Sequence, residues 1–282
     1  MSEHPSHRPI DVGALRLRKC QHGWVLYRPN DIIIGRCFDS FGHFSPSEIR
    51  LFQSLLSHGD VVVEAGAYIG CFTAALSQAV GPAGLVYAFE PNPDSFRILC
   101  GNLALNDVRN VEARQCGLGA CTEERALMMV DTSLLDNFGD VFLMPRGHGR
   151  PVDVTTIDSM TLSRCNLIKA DVQGMERDIL LGAAETISRC RPILYLENDI
   201  QENSQCLLAT LEALGYQSFW HLPPLCEPDS DISPEYSDHL TQCVSVNLLC
   251  LPEESGIPEE LDLRVTELRA VTDITDWWQA HD

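Results

Sequence analysis

The feature that most constrains the fold is an alternation of strand-like runs with helix-period segments, beginning near residue 45. Residues 60–64 (DVVVE) and 165–171 (CNLIKAD) are apolar runs of the kind buried on both faces of a parallel sheet. The segments between such runs repeat apolar residues at helical spacing. Because strand–helix–strand units build parallel sheets, the sequence predicts an α/β domain.

The strand-like runs are residues 60–64, 85–90, 110–115, 165–171, 193–197, 216–221 and 242–251. The predicted helices cover residues 45–57, 70–80, 92–106, 175–187 and 204–214. The first helix opens with Ser45-Pro46-Ser47-Glu48, which fits a capping box with proline at the first helical position. A long loop without a crossover helix separates the last two strands, so we expect them to pair antiparallel.

The chain of 282 residues is long enough for one large domain with appendages. We expect a strand-rich N-terminal extension over residues 1–44, which covers a sheet edge or extends an acceptor site. Residues 45–251 are the predicted catalytic domain, and residues 252–282 an acidic C-terminal extension. Within this extension, we expect residues 261–278 to form either a short closing helix or a loosely held tail.

Charge and composition exclude several classes of protein. Forty acidic and twenty basic side chains give a net charge of -20, the wrong sign for binding nucleic acid phosphates. The sequence has neither an apolar stretch long enough to span a membrane nor a signal peptide, so we expect a cytoplasmic protein. Twelve cysteines without a C-x-x-C pair are expected to be free thiols, and no metal is required.

A glycine-containing turn, Glu64 to Gly70 (EAGAYIG), follows the first core strand, and Glu90 ends the next one. This arrangement predicts a nucleotide site, with Glu90 holding ribose hydroxyls. The spacing differs from the G-x-G-x-x-G of dinucleotide sites. A carboxylate of Glu64 on the rim of the turn would repel a diphosphate but suit the ammonium and sulfonium of S-adenosylmethionine. A nicotinamide-dependent oxidoreductase is the alternative that shares the strand, the turn and Glu90.

Four segments together resemble a known family: EAGAYIG at 64–70, YAFEPNPDSFRILCGNL at 87–103, LIKADVQGME at 167–176 and YLEN at 195–198. In this order and spacing they are similar to the FkbM family of S-adenosylmethionine-dependent methyltransferases. The resemblance covers about residues 45–200. The chain departs from the family pattern at Tyr68, where Asn is usual, and at Gln173, where Glu is frequent.

The resemblance implies a class I methyltransferase (Rossmann-like) sheet of seven mostly parallel strands, in the order 3-2-1-4-5-7-6 with one antiparallel strand. It also implies S-adenosyl-L-methionine as cofactor. By the family pattern, Gly66 and Gly70 shape the methionine pocket, Glu90 holds the ribose, and Cys116 with Gly117 borders the adenine. The residues that we predict to bind the cofactor are Glu64, Gly66, Tyr68, Gly70, Glu90, Asn92, Cys116 and Asp171.

The predicted catalytic residues lie at strand ends. Lys169 and Asp171 share one face of a strand, and Asp171 is at the end where open parallel sheets bind ligands. Asp171 would orient the cofactor or the acceptor, or alternatively cap the next helix. Glu197 and His221 end the fifth and sixth strands and are candidate general bases. His221 is alternatively a structural histidine.

Three residues are candidates for contact with the substrate: Asn137, Glu176 and Asn198. Asn137 belongs to an insertion, residues 131–139 (DTSLLDNFG), that has no core periodicity. We expect it to fold over the cofactor or the acceptor as a lid, or alternatively to be an ordinary surface loop. The alternative role for Glu176 is a favourable interaction with the dipole of its helix from the first turn. The alternative role for Asn198 is in a turn of the chain.

The resemblance favours an O-methyltransferase acting on a hydroxyl of a small-molecule or glycan acceptor, a sugar or another natural product. An N-methyltransferase acting on a small molecule or peptide is an alternative, although the chain lacks the Asn/Asp-Pro-Pro-Tyr strand end frequent in that class. The other alternative is a non-catalytic module whose acidic C-terminal segment docks a basic partner. It predicts neither cofactor binding nor turnover.

Overall fold

The computed structural model describes residues 8–128, 130–227, 240–255 and the backbone of residues 269–270. Its α-helices are α1 Ile34–Phe41, α2 Pro46–Leu55, α3 Thr73–Val80, α4 Pro93–Leu105, α5 Glu176–Leu181, α6 Ala184–Cys190 and α7 Gln201–Ala213. Its strands are β1 Ile10–Val12, β2 Leu15–Cys20, β3 Gly23–Tyr27, β4 Val61–Ala65, β5 Leu85–Phe89, β6 Val111–Arg114, β7 Gly117–Leu118, β8 Glu123–Leu127, β9 Leu143–Met144, β10 Arg150–Thr155, β11 Leu167–Ala170, β12 Ile193–Glu197, β13 Tyr216–His221, β14 Asn247–Pro252 and β15 Arg269–Ala270.

The main sheet has eight strands in the order β15-β13-β14-β12-β11-β4-β5-β6. Strands β6, β5, β4, β11 and β12 run parallel, and β14 lies antiparallel between β12 and β13. The seven predicted strands thus occur in the order 3-2-1-4-5-7-6. Strand β15 is an addition, antiparallel to β13, inside the segment for which a closing helix or a tail was expected. The other residues of that segment lie outside the described residues.

Two apolar layers bury the central strands of this sheet. On one side α5, α6 and α7 contribute Ile179, Ile187 and Leu211 to a core around Ile168 and Leu196. On the other side α2 and α3 pack residues such as Phe52 and Leu76 against β4, β11 and β12. Because both faces are covered, only the ends of the strands remain accessible to a ligand.

The N-terminal strands β1, β2 and β3 form an antiparallel sheet that packs on α4 rather than on an edge of the main sheet. The Asn102 side chain accepts a hydrogen bond from the Leu26 N–H at 2.6 Å, and Asn106 accepts one from the Trp24 N–H at 2.7 Å. Two asparagine side chains one helical turn apart therefore hydrogen-bond the backbone of β3, as a neighbouring strand would. A fourth element of this region, α1, was not predicted.

Two helix predictions need correction. Ser45 has a left-handed backbone and forms no side-chain cap; its hydroxyl instead donates to the buried Glu48 carboxylate at 2.6 Å. The helix predicted over residues 175–187 is divided into α5 and α6 near Gly182. A Cβ at Gly182 would lie 2.0 Å from the Gly119 carbonyl oxygen, so close packing of two backbones requires glycine there.

Within the described part of the chain, no helix combines the length and the apolar character that a membrane span needs.

Candidate active site

A cleft of about 310 Å³ opens at the carboxyl ends of β4, β5, β11 and β12. Among its lining residues are Gly66, Glu90, Asp171 and Glu197, one after each of these strands or at its end. Open parallel sheets bind ligands at this edge. The other side of the cleft, which we call the outer wall, consists of Ile33, Ile34, Asn137, Phe138 and Gly139.

The turn after β4 brings two strand ends into contact. Gly66 has φ +79°, and a Cβ there would lie 1.9 Å from the Asp171 carbonyl oxygen. Only glycine therefore permits this approach. Two residues later, Tyr68 has φ 50°, a left-handed conformation that is uncommon for an aromatic residue.

Glu90 organises the end of β5 with both of its carboxylate oxygens. Oε2 accepts a hydrogen bond from the Tyr68 N–H at 2.8 Å, and Oε1 accepts one from the Asn92 N–H at 2.7 Å. Burial raises the pKa of Glu90 to about 7, and the two N–H donors oppose that shift. Asn92 also lines the cleft, although its side-chain oxygen caps α4 by accepting from the Asp94 N–H.

Lys169 lies behind the cleft and is 1% exposed. Its Nζ is 3.3 Å from Asp171 Oδ2, and strand register places Glu64 and Tyr195 directly opposite it on β4 and β12. Burial alone would lower the pKa of Lys169, but the carboxylates of Asp171, Glu64 and Glu48 raise it overall. Lys169 is therefore a buried countercharge, not a group that can touch a ligand in the cleft.

Glu64 is completely buried, so its predicted place on the rim is wrong. Its Oε2 accepts a hydrogen bond from Thr73 Oγ1 at 2.6 Å, while Oε1 has no hydrogen-bond partner among the described residues. Burial raises the pKa of Glu64 to about 7. The side chain points between the sheet and α3 because it shares the covered face with Lys169.

Glu197 reaches the cleft at the end of β12. Gln173 Nε2 donates to Glu197 Oε2 at 3.1 Å. Burial, reinforced by the negative charges of Asp171 and Asp199, raises the pKa of Glu197 well above its usual value. Two carboxyl groups therefore lie at the ends of neighbouring strands: Asp171 beside the Lys169 ammonium, and Glu197 beside the Gln173 amide.

His221 does not meet Glu197 in the cleft, and this prediction is wrong. Strand β14 lies between β12 and β13, so Asn247 stands between Glu197 and His221 in register. His221 is buried, with Nδ1 2.7 Å from the hydroxyl oxygen of Tyr195, and burial lowers its pKa to about 4. It is a structural histidine.

Four further predicted residues do not line the cleft. The carboxylate of Glu176 accepts from the Val172 and Gly174 N–H groups at 3.1 and 3.3 Å, and Asn198 donates to Ser204 Oγ at 2.8 Å. Both border a separate pocket of about 230 Å³. Gly70 provides room for α4, because a Cβ there would lie 2.8 Å from Leu99 Cδ1. Cys116 packs on the core, and Gly117 and Leu118 line the cleft instead.

The cleft brings together a subset of the predicted residues: Gly66, Tyr68, Glu90, Asn92, Asn137, Asp171 and Glu197. Sequence reasoning missed Asp31, which is 1% exposed and accepts hydrogen bonds from the Ile33 and Ile34 N–H groups. An aspartate before an apolar run is a helix-start signal that could have revealed α1.

The side chains of the cleft are strongly acidic. Its carboxylates are Glu90, Asp140, Asp171, Glu197 and Asp199, and none of the described lining residues is Lys, Arg or His. The potential inside therefore favours a cation and opposes a phosphate.

This strand order, with a cleft at the carboxyl ends of the first, second, fourth and fifth strands, defines a class I, Rossmann-like methyltransferase fold. The model of the methyltransferase FkbM domain family matches residues 64–218, more than half of the chain. The chain belongs to this family, which confirms the resemblance.

Individual relatives match over shorter regions. Methyltransferase 1 of Beauveria bassiana is 34% identical over 143 residues, covering 43% of this chain and 57% of that protein. Methyltransferase sdnD of Sordaria araneosa is 43% identical over 157 residues, covering 44% and 60%. The chain thus spans less than two thirds of either relative. A crystal structure of methyltransferase FkbM from Methylobacillus flagellatus is 20% identical with a TM-score of 0.45, over 70% of this chain and 47% of that one.

The cofactor of the family is S-adenosylmethionine, and the donor set of the cleft fits it. Each oxygen of Glu90 accepts one N–H and retains a lone pair for a ribose hydroxyl. The surrounding carboxylates complement an ammonium and a sulfonium group. A dinucleotide would instead place its pyrophosphate among five carboxylates without a described cation.

Proposed function

We propose that this protein is an S-adenosylmethionine-dependent O-methyltransferase that acts on a hydroxyl group of a sugar or natural-product acceptor. The observation that carries the proposal is one cleft that combines Glu90, poised for a ribose, with two more carboxyl groups at the ends of β11 and β12. Membership of the FkbM methyltransferase domain family supports the same reaction.

In this proposal Glu90 and the turn around Gly66 hold the cofactor, and Asp171 orients the reacting groups. When bound, S-adenosylmethionine supplies an activated methyl group on a sulfonium, and transfer to oxygen leaves a neutral thioether. Asp171 suits an orienting role because Lys169 fixes its Oδ2 from behind. Orientation of two reactants within about 3 Å supplies much of the rate of such a transfer.

Glu197 is the proposed general base. Burial raises the pKa of Glu197 well above its usual value, which makes its ionised carboxylate a stronger acceptor for a hydroxyl proton. Gln173 Nε2 donates to one of the Glu197 oxygens and so orients the carboxyl group. The hydroxyl proton passes to Glu197 as the new carbon–oxygen bond forms, and it leaves for solvent with the product.

The first experiment is calorimetric titration of the full chain with S-adenosylmethionine, S-adenosylhomocysteine and, as a control ligand, NADH. We expect binding of the first two and none of NADH. Glu90→Ala should abolish binding, whereas Glu212→Gln, an exposed carboxylate on α7, should leave it unchanged. Absence of binding to the wild-type protein would contradict the proposal.

The second experiment assigns the roles of the two strand-end carboxyl groups. A screen of sugar and polyketide alcohols, with labelled S-adenosylmethionine, identifies an acceptor and the methylated atom. With that acceptor, Glu197→Gln should lower turnover by about 10²- to 10⁴-fold while cofactor affinity holds. Full turnover in this variant would contradict the assignment of the base, and a methylated nitrogen would contradict the O-methyltransferase.

A further inference from the structure

The turn that follows β4 is joined to the N-terminal segment by a buried hydrogen bond. The Tyr68 hydroxyl donates to Asp31 Oδ2 at 2.7 Å, and Asp31 is almost inaccessible to solvent. The Tyr68 backbone N–H meanwhile donates to Glu90. One residue therefore contacts both the proposed ribose carboxylate and a segment far away in the chain. We call Tyr68 and Asp31 the Tyr68–Asp31 pair.

The backbone of Tyr68 indicates that this contact is specific to the site. A left-handed φ of 50° is unfavourable for a bulky residue and persists only where neighbouring contacts enforce it. Hydrogen bonds at both ends of the residue, from the N–H and from the hydroxyl, supply that enforcement.

Asp31 also contacts the outer wall. Its Oδ1 accepts hydrogen bonds from the Ile33 and Ile34 N–H groups at 3.0 and 2.9 Å, which orients the two isoleucines that line the cleft. The carboxylate thus binds Tyr68 with one oxygen and the start of α1 with the other.

The neighbouring residue, Asn30, holds the insertion. Asn30 Nδ2 donates to the Thr132 carbonyl oxygen at 2.8 Å and to that of Leu134 at 2.6 Å. The Ile32 N–H adds a bond to the Asp136 carbonyl oxygen at 3.1 Å. Asn137, Phe138 and Gly139 follow directly and complete the outer wall. Hydrogen bonds, with the peptide bond between Asn30 and Asp31, therefore connect Glu90 to the insertion.

We propose that Asp31 is a positioning residue, which with Tyr68 couples cofactor binding to the placement of the outer wall against the acceptor. The proposal rests on the proposed function and deepens it. A ligand that engages Glu90 fixes the Tyr68 turn, and the Tyr68–Asp31 pair then fixes the outer wall. The acceptor consequently binds best after the cofactor.

The test measures hydrogen–deuterium exchange of the amides of residues 132–136, with and without S-adenosylhomocysteine. None of these residues lines the cleft, so protection there reports the coupling rather than direct contact. We expect protection in the wild type and about fivefold less in Tyr68→Phe, which removes only the hydroxyl. Asn30→Ala removes the two side-chain hydrogen bonds to the insertion but retains the backbone bonds to Asp136, and it should weaken protection as well.

Two variants serve as controls. Asp31→Asn can still bond both Tyr68 and the α1 backbone and should retain protection. Tyr216→Phe removes another buried tyrosine hydrogen bond, to the Pro192 carbonyl oxygen at the opposite end of the sheet, and should also retain it. Equal protection in Tyr68→Phe, Asn30→Ala and the wild type would overturn the coupling. Failure of the wild type to bind S-adenosylhomocysteine would overturn the proposed function, and this inference with it.

Discussion

Lys169 Nζ lies 3.3 Å from Asp171 Oδ2, with the lysine buried and the aspartate carboxylate 36% exposed towards the cleft. Lys169 is one of only two lysines in the chain. Glu64 faces the same ammonium from the neighbouring strand, and Glu48 approaches it from α2. A single buried cation therefore balances carboxylates from three elements of the fold.

Replacing Lys169 with methionine should destabilise the protein strongly. The variant retains the bulk of the side chain but leaves buried carboxylates without their countercharge, which costs about 3–5 kcal/mol. Urea denaturation measures the loss. Lys19→Met, at the exposed lysine of β2, is the matched control and should change stability by less than about 0.5 kcal/mol. Similar stability of the two variants would show that the buried charge balance is unimportant.

Binding of S-adenosylhomocysteine should depend on pH through Glu90. Its ionised form is the better acceptor of ribose hydroxyls, and burial raises its pKa to about 7. Affinity should therefore be greatest above pH 7 and weaken by up to about tenfold for each pH unit below it. Calorimetry between pH 5.5 and about 8.5 tests this. In Glu90→Gln the weaker remaining affinity should depend less steeply on pH than in the wild type; the same slope in both proteins would refute the role of Glu90.

Gly66→Ala should disrupt the cleft. The new Cβ meets the Asp171 carbonyl oxygen at 1.9 Å, so the turn after β4 must move away from the end of β11. Gly59→Ala is a suitable comparison because Gly59 also has a positive φ, +94°, but has open space around it. We expect Gly66→Ala to lose more than about 1 kcal/mol beyond Gly59→Ala, together with cofactor binding. Thermal melts and calorimetry distinguish the two effects.

His221→Gln should alter stability but not cofactor binding. Burial lowers the pKa of His221 to about 4, so between this pH and about 6.5 the unfolded chain binds more protons than the native protein. This histidine therefore reduces wild-type stability as pH falls through that window, by up to about 3 kcal/mol. The variant should lack this contribution in urea denaturation at pH 5 compared with about pH 7.

Comparing His221→Gln with the wild type isolates the contribution of His221 to the pH dependence of stability. The comparison is needed because buried carboxyl groups change stability in the opposite direction as pH falls. Burial raises the pKa values of Glu48, Glu64 and Glu176 to about 7, so their protonated forms favour the native state at low pH. An identical pH dependence in His221→Gln and the wild type would contradict the assignment. Loss of S-adenosylhomocysteine binding in His221→Gln would instead indicate that His221 contributes to the cleft.

Sequence periodicity predicted the centre of the main sheet well because β4, β5, β11 and β12 are apolar runs that are each followed by a helix pattern. Glu90 and Asp171 could be found for the same reason, since the ends of such strands are visible in the sequence. The position of Glu64 could not, because the sequence does not show that β4 continues to Ala65, which places Glu64 inside the strand on a covered face and not in the turn. His221 failed for a different reason: sequence order does not show that β14 inserts between β12 and β13.

The part of the cleft lining that lies outside the matched family region affects how an acceptor should be sought. Ile33, Ile34 and Phe44 precede the matched family region, and Leu225 and residues 244–246 follow it, yet all line the cleft. The matched region supplies Glu90, Asp171 and Glu197 together with Asn137, Phe138 and Gly139 of the outer wall, whereas the flanks supply the rest of the lining. We therefore expect relatives that share residues 64–218 to use the same methyl donor, and a change of acceptor to involve the flanking segments as well.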